Sequence, residues 1–341
     1  MSKKRPSKRR KPKKKPVPEA RHCRHRRIIP GTTYLITKKC TDDRFWLLPD
    51  DPIIGEILLY TLIIKALAHG VLIHGFVAAS NHIHLVATDV RGELPNFMKY
   101  FLGESSKAIQ VARGVKRRPI WDKERYSAVT LLDLDAAERK IAYAILNPPE
   151  GGTCEPMDWP GLISCRWRLG ETMVATRPPV YFSGRRPEVV SMRLSPVAAQ
   201  YMEKLPDNAT EEEKAQRQLA EDEANASSNA RIEKMVSEGL ERIRAERAKQ
   251  GKSFLGAERM LELASVEDRG NRPFGEINPL FATRNSELMA WAILDYKSFE
   301  AKHRDARERY LHGETDVVFP YGTFGHRVTL GVHVAEGRAA A

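Results

Sequence analysis

The order of strand-like and helix-like segments in residues 31–147 constrains the fold of this chain more than any other feature. Strand segments alternate apolar and polar residues, whereas helix segments repeat their apolar residues every three or four positions. The strand segments are 31–41, 71–78, 81–87 and 127–132, and the helix segments are 54–68, 94–114 and 135–147. The order β-α-β-β-α-β-α predicts an α+β fold, a ferredoxin-like sandwich whose antiparallel sheet has helices on one face.

Two local signals delimit the last of these helices, which is one more than the sandwich needs. Asp135 is predicted to cap its N-terminus, with Glu138 three residues later as the partner in a capping box. Pro148 disfavours helical geometry in the residue before it, so the helix is predicted to end near Asn147.

The net charge of +12 is concentrated at the N-terminus. Residues 1–30 contain 14 Lys or Arg and one Glu, whereas the rest of the chain contains 42 basic and 43 acidic residues. So charged a segment cannot bury a core, and residues 1–28 are predicted to form a disordered basic tail. Its expected partner is a polyanion, most commonly nucleic acid, bound without sequence preference. The alternative is a solubilising tail without a specific role.

The C-terminal half has a different composition. Residues 171–341 are predicted to form a mainly helical extension of unknown role, following a domain at residues 29–170. Residues 210–250 are charged and helix-prone, but the small and polar residues 224–230 are predicted to break that helix. Another helix is predicted from about residue 286 to residue 310. This half contains no repeat and no chemical motif.

Cysteine usage and hydropathy argue against several classes of protein. The cysteines lie far apart without a Cys-x-x-Cys pair, which disfavours a disulfide framework and structural zinc; they are Cys23, Cys40, Cys154 and Cys165. The most hydrophobic stretch, residues 57–73, is interrupted by Lys65 and His69 and is predicted not to span a membrane. No apolar segment follows the basic start, so a secretory signal is not expected. These features predict a soluble cytoplasmic protein without a membrane partner.

Two histidines flank one aliphatic residue in the predicted strand 81–87. Side chains alternate faces along a strand, so His82 and His84 are predicted to share one face while Ile83 and Leu85 enter the opposite layer. Two imidazoles side by side can bind one divalent metal ion. The alternative is a pair of ordinary surface histidines.

Tyr143 and Asn147 lie four residues apart on a predicted helix and therefore share a face. If that face meets the histidine pair, two imidazoles and one amide oxygen form a three-ligand site with open positions. Mg²⁺ or Mn²⁺ would fill those positions with water and a substrate phosphate oxygen. Tyr143 would then be a covalent nucleophile toward the phosphate. The alternatives are a core tyrosine and a helix C-cap before proline.

Three segments of the sequence resemble the REP-associated tyrosine transposases, a group within the HUH single-tyrosine transposases. These segments are Val71-Leu-Ile-His-Gly-Phe-Val-Ala-Ala-Ser-Asn-His-Ile-His-Leu85, Tyr143-Ala-Ile-Leu-Asn-Pro148 and Asp158-Trp-Pro160. The resemblance covers about residues 28–170, with a weaker likeness near residues 317–322. Two departures from the family pattern are Ala79-Ser80, where Met-Pro is usual, and Ala144, where isoleucine commonly follows the tyrosine.

The resemblance implies a ferredoxin-like nuclease that acts on single-stranded DNA, often at a hairpin. His82 and His84 fall on the family's metal ligands, and Asn147 falls on the third ligand. Tyr143 falls on the nucleophile, which retains the 5′ phosphate and leaves a free 3′ hydroxyl. A nucleoid-associated cytoplasmic location follows from this expectation. The choice between Mg²⁺ and Mn²⁺, and between a monomer and a homodimer, is left open.

Basic and aromatic residues between the two motifs are predicted to form a single-strand DNA groove. Aromatic faces stack on bases while cations follow the phosphate backbone. The predicted groove residues are Lys116, Arg117, Arg118, Trp121, Arg125 and Tyr126. The alternative is a solvated basic loop with Trp121 in the core. Tyr126 is the rival nucleophile, but it has no amide partner at helical spacing.

Three functions remain open at the level of sequence. The first is metal-dependent cleavage and rejoining of DNA through Tyr143. The second is a domesticated relative that binds hairpin DNA or RNA without cutting it, since ferredoxin-like sheets serve both purposes. The third is hydrolysis by an activated water, with Tyr143 as a bystander.

Overall fold

The computed structural model describes residues 25–206, 208–270 and 279–337, so most of the predicted basic tail lies outside the described residues. In chain order the elements are β1 (Thr32–Lys39), α1 (Pro52–His69), β2 (Val71–Ala79), β3 (His82–Asp89), α2 (Leu94–Ala112), β4 (Ser127–Leu131), α3 (Leu134–Ile145), α4 (Asn147–Glu150), β5 (Thr172–Thr176), β6 (Val189–Arg193), α5 (Glu211–Lys249), α6 (Ala257–Leu263), β7 (Phe281–Ala282), α7 (Ser286–Leu311), β8 (Val318–Phe319), α8 (Gly325–Leu330) and β9 (His333–Val334).

The central sheet has the strand order β2-β3-β1-β4-β7. The first four strands pair antiparallel, and β7 adds a parallel edge strand beside β4. The order β2-β3-β1-β4, with α1 after β1 and α2 after β3, is that of a split β-α-β ferredoxin-like unit. The predicted α+β class and the helical C-terminal region are therefore confirmed, and the short β7 makes the sheet mixed.

Helices α1 and α2 cover one face of the sheet. Tyr34 and Ile36 of β1 belong to the same apolar cluster as Ile57 and Phe97, which lie on the two helices. Helix α1 begins after Asp51, whose side chain accepts from the Ile53 N–H, and ends at Gly70 in the left-handed conformation.

Helix α1 is the most apolar long helix of the described residues. By length and composition it could cross a membrane, with a mean hydropathy of 1.5 over 18 residues. Half of that window is buried within the fold, where α1 contacts α2, β2, β5 and β6. A helix enclosed on several sides has this composition because little of its surface needs to be polar.

Helix α3 covers the opposite face of the sheet. Leu35 and Val86, which alternate with the residues beneath α1, pack against Ile141 of α3. The contact is close at Gly75 of β2, where an added Cβ would lie 3.1 Å from Ile141 Cγ2. The third helix of the sequence analysis is thus a separate layer, and it lies over the strand that carries His82 and His84.

The N-terminus of α3 differs from the predicted capping box. Asp133 is the cap and accepts from the Ala136 N–H, whereas Asp135 lies inside the first turn and pairs with Arg139. Glu138 is buried and forms a bidentate ion pair with Arg231 of α5. The carboxylate assigned to the cap therefore joins two helices.

Helix α5 runs without the break predicted at residues 224–230. A capping box between Thr210 and Glu213 starts it, and it continues for 39 residues. Its small residues form the contact with the domain core: Ser228 is fully buried, and a Cβ at Gly239 would collide with Leu146. The segment predicted to break the helix therefore continues it, and its Ser228 packs against the core. The predicted helix near residues 286–310 is confirmed as α7.

Candidate active site

The two histidines of β3 lie side by side on the face beneath α3. Their ring centroids are 4.7 Å apart, with the rings nearly perpendicular. His84 is buried beneath the helix, and His82 lies half-buried toward the end of the strand. The period of two along an extended strand produces this arrangement, as the sequence pattern indicates.

Each imidazole has one nitrogen engaged by a neighbouring side chain. His82 Nδ1 donates to Asn81 Oδ1 at 2.7 Å. His84 Nδ1 lies 2.8 Å from the Oγ1 atom of Thr37, the residue of β1 that lies directly opposite His84 in the register between β1 and β3. These contacts orient both rings so that the two Nε2 atoms are directed toward α3 and α4.

Tyr143 reaches the same point from α3. Its hydroxyl oxygen lies 3.4 Å from His84 Nε2, and the two rings meet edge to face at 5.0 Å. Tyr143 is 42% exposed, so a substrate can approach the residue from solvent. Lys140, one helical turn earlier, places its ammonium 5.3 Å from the centre of the tyrosine ring.

Asn147 approaches His82 from the start of α4. Helix α3 ends at Ile145, and Leu146 separates it from α4 because Pro148 and Pro149 have no N–H for a continuous ladder. Despite this break, Asn147 Nδ2 lies 3.5 Å from His82 Nε2. Rotation of the amide by half a turn presents Oδ1 at the same position.

Burial keeps the inner histidine neutral. The pKa of His84 lies well below its usual range because the ring is desolvated, and the nearby His82 and Lys140 lower it further. Burial also lowers the pKa of Lys140. A neutral imidazole retains the lone pair that a metal ion requires.

The donor set fits the divalent ion predicted from the sequence. Metal-bound histidines characteristically use their second ring nitrogen for a hydrogen bond, as His82 and His84 do with Asn81 and Thr37. Within the part of the chain that the structure describes, no group of three or more His, Cys, Asp or Glu side chains is arranged for a metal ion. The third protein ligand would therefore be the Asn147 amide, and this neutral set leaves the anionic ligands to the substrate.

The predicted basic loop lies at the same end of the sheet. Lys116, Arg117 and Arg118 are exposed. Just after them, Trp121 forms a backbone bridge to Cys40, next to the register pair of Lys39 and His82. The basic loop is therefore close in the chain to the end of the sheet where His82 lies.

The other three predicted groove residues do not lie at this site. Trp121 is buried in the main core and donates from Nε1 to Ser105 Oγ at 3.2 Å, so it has no exposed ring face for a base. Tyr126 and Arg125 line a cavity that Tyr34 shares, on the sheet face opposite His84. Burial raises the pKa of Tyr126, which disfavours this rival as a nucleophile.

Three residues that contact the site were not predicted from the sequence. Asn81 precedes the histidine pair directly, and Lys140 stands one turn before Tyr143, so both positions carried a local signal. Thr37 carried none, because its contact with His84 depends on the register between β1 and β3.

Comparison with solved structures gives a weak structural likeness. A solved structure of a REP-associated tyrosine transposase bound to a REP hairpin matches 40% of this chain and 78% of its own chain, with 20% sequence identity and a TM-score of 0.34. No protein-family model matches the sequence, and no curated protein matches it. The family therefore stays a resemblance, carried by the motifs around His82 and Tyr143.

Proposed function

We propose that this protein is a metal-dependent single-stranded DNA endonuclease and transposase that cleaves and rejoins DNA through Tyr143. The observation that carries the proposal is the convergence of the Tyr143 hydroxyl, the Asn147 amide and the Nε2 atoms of His82 and His84.

His82, His84 and Asn147 would hold Mg²⁺ or Mn²⁺. When bound, the ion supplies Lewis-acid polarisation of a phosphate oxygen and aligns the phosphate for displacement. The half-buried Thr37 and Asn81 keep the two imidazoles in place. These residues pre-organise the site before the substrate arrives.

Tyr143 performs the displacement in this proposal. Its hydroxyl oxygen attacks the scissile phosphorus and gives up its proton to solvent, and the P–O3′ bond breaks to leave a 3′ hydroxyl and a 5′-phosphotyrosine. The Lys140 ammonium, 5.3 Å from the centre of the tyrosine ring, adds a positive charge beside the reacting phosphate. A 3′ hydroxyl of a second strand end reverses the reaction and rejoins the DNA.

The basic loop at residues 116–118 gives the substrate strand a cationic path toward the tyrosine. Hairpin-forming oligonucleotides are the substrates of choice because the motif resemblance implies them. The tail at residues 1–28 would add salt-dependent affinity without sequence preference.

A covalent-adduct assay tests the proposal. Wild-type protein incubated with labelled hairpin oligonucleotides and Mn²⁺ is expected to give a slow-migrating band on a denaturing gel. The band is expected to disappear in Tyr143→Phe and in His82→Ala, and with a chelator. Tyr100→Phe, which removes another exposed phenol, and Tyr126→Phe are the matched controls and should retain the band.

Two outcomes would contradict the proposal. Cleavage of the DNA without an adduct would assign the chemistry to an activated water. Tight binding on a native gel, with neither cleavage nor adduct over a broad set of hairpins, would identify a binding protein that does not cut.

A further inference from the structure

A second polar site lies on the sheet face opposite the histidine pair. The even-numbered residues of β1 and β4, which alternate with those beneath α3, form one wall of a cavity of about 650 Å³. Helix α7 forms the facing wall with Trp291 and Tyr296. This volume is within the range of cavities that enclose small ligands.

The cavity combines positive charge with aromatic surface. Arg26, Arg27 and Arg125 line it together with one carboxylate, that of Asp295, which forms an ion pair with Arg27. Arg26 lies over the Tyr126 ring at 3.9 Å. Guanidinium groups and aromatic rings in one cavity suit a ligand that has both a phosphate and a planar base.

Trp291 gives this cavity an open stacking surface. It stands at the start of α7 and is 59% exposed, although tryptophan is usually buried. Tyr296, one and a half turns later, is held by a hydrogen bond from its hydroxyl to the His25 carbonyl at 2.7 Å. An exposed indole beside a rigid charged wall is therefore available to a base.

We infer that this cavity binds an unpaired nucleotide of a single-stranded DNA, an assignment that takes its choice of DNA from the proposed function. The sequence supports a strand over a free nucleotide. His25, Arg26 and Arg27 line the cavity, and the 24 residues that precede them contain 12 Lys or Arg and one Glu. A polymer of phosphates can contact both the cavity and this basic sequence at once, whereas a free nucleotide cannot.

The inference gives Arg125 and Tyr126 a place different from the one predicted for them. They bind the strand away from the scissile phosphate, on the other side of the sheet from Tyr143. Contacts to a base on that side of the sheet select or anchor the substrate strand without taking part in the reaction.

Paired substitutions at exposed positions test the cavity. Trp291→Ala and Arg125→Ala are expected to weaken binding of a fluorescently labelled single-stranded oligonucleotide by about tenfold each, since a stacked base or a backbone cation contributes on this order. Leu294→Ala on α7 and Lys123→Ala beside Arg125 are matched exposed controls that do not line the cavity. They should bind within about twofold of wild type.

Photo-cross-linking locates the base. An oligonucleotide that contains iododeoxyuridine is expected to cross-link to Trp291 or Tyr126, identified by mass spectrometry of the peptides. Unchanged affinity in both cavity variants, or cross-links confined to other surfaces, would overturn the inference. Equal competition by a deoxynucleoside monophosphate and by the oligonucleotide would overturn the inference that the ligand is a DNA strand. The cavity would then be a site for a free nucleotide.

The adduct assay separates this inference from the proposed function. Leu294→Ala should still form the Tyr143 adduct, and Tyr143→Phe should lose the adduct but bind the oligonucleotide with wild-type affinity. Loss of the adduct in every protein, with the affinity differences intact, would reject the chemistry and leave the nucleotide site standing.

Discussion

The sheet face beneath α3 carries histidines at both ends, and the ring nitrogens of these histidines have different partners at the two ends. At one end His74 is fully buried, with Nδ1 donating to the Ser195 carbonyl at 2.7 Å and Nε2 accepting from Thr88 at 2.8 Å. At the other end His82 and His84 each bond one ring nitrogen to Asn81 or Thr37, and direct the other toward an exposed tyrosine and an amide.

This difference separates a structural histidine from a candidate ligand. Inside a fold a histidine with both nitrogens bonded to the chain has no capacity left for a substrate. Nothing in the residue type distinguishes His74 from His84, and both are buried on the same strand pair. The distinction lies in whether the second nitrogen meets a fixed carbonyl or hydroxyl, or a group that solvent and substrate can reach.

The largest expected difference between the two ends is in the rate of adduct formation after a histidine is replaced by glutamine. His84→Gln should reduce adduct formation by at least about a thousandfold, because it removes a donor of the proposed metal site. His74→Gln should leave the rate within about threefold, since that side chain is sealed in the core. Single-turnover adduct kinetics at saturating metal and DNA measure both.

Circular dichroism and thermal melting of both variants provide the control for folding. A comparable loss of rate in His74→Gln, with its fold intact, would erase the distinction between the two ends.

The pH dependence of stability gives a second test at the end of the sheet face that carries His74. Burial lowers the pKa of His74 from 6.5 to about 4. Its neutral form therefore stabilises the fold fully above pH 6.5, and this contribution is lost as the pH falls through about 4, because the unfolded chain binds the proton first. A shift of this size corresponds to about 3 kcal/mol in the free energy of unfolding.

Urea unfolding at several pH values between about 7 and 4 measures this loss, and His74→Gln is the reference that cancels the titration of carboxylates. The wild-type curve should fall more steeply than that of the variant. Parallel curves would show that His74 does not supply the pH dependence.

The parts of this comparison that the sequence predicted are those governed by local periodicity. Alternation along β3 places His82 and His84 on one face, and helical spacing brings Tyr143 to that face. Register between strands is not a local property, so the contacts of Thr37 with His84 and of His74 with Thr88 could not be read from the pattern.

Long-range contacts also explain the errors at the ends of the helices. Asp133 and Asp135 both satisfy the rules for an N-cap, and the choice between them follows from the rest of the fold, in which Glu138 pairs with Arg231 93 residues away. Trp121 likewise packs in the core through a long-range contact, the hydrogen bond from its indole N–H to Ser105 of α2. Local sequence propensity does not predict the partners that a side chain meets only in the tertiary fold.

The smallest expected effect distinguishes the two ends through a pair of threonines on β1. Thr37 forms a hydrogen bond with His84 at the end of the face that carries the candidate site. Thr33 forms one with Thr88, at 2.7 Å, at the end that carries His74. Thr37→Val should lower the apparent metal affinity or the adduct rate by about tenfold, because a ligand's hydrogen-bond partner fixes its orientation. Thr33→Val should leave the rate unchanged and cost about 1 kcal/mol of stability, because Thr88 loses one partner.

Both changes replace a hydroxyl with a methyl group of similar size, so packing contributes little to the difference. Metal titration of the adduct rate and urea unfolding of both variants give the two readouts. The reverse pattern, a slower Thr33→Val and a merely destabilised Thr37→Val, would place the reactive end of the sheet at His74. Equal behaviour in both assays would mean that the contact of His84 Nε2 with the exposed Tyr143 has no consequence for reactivity, and the separation of the two ends would fail.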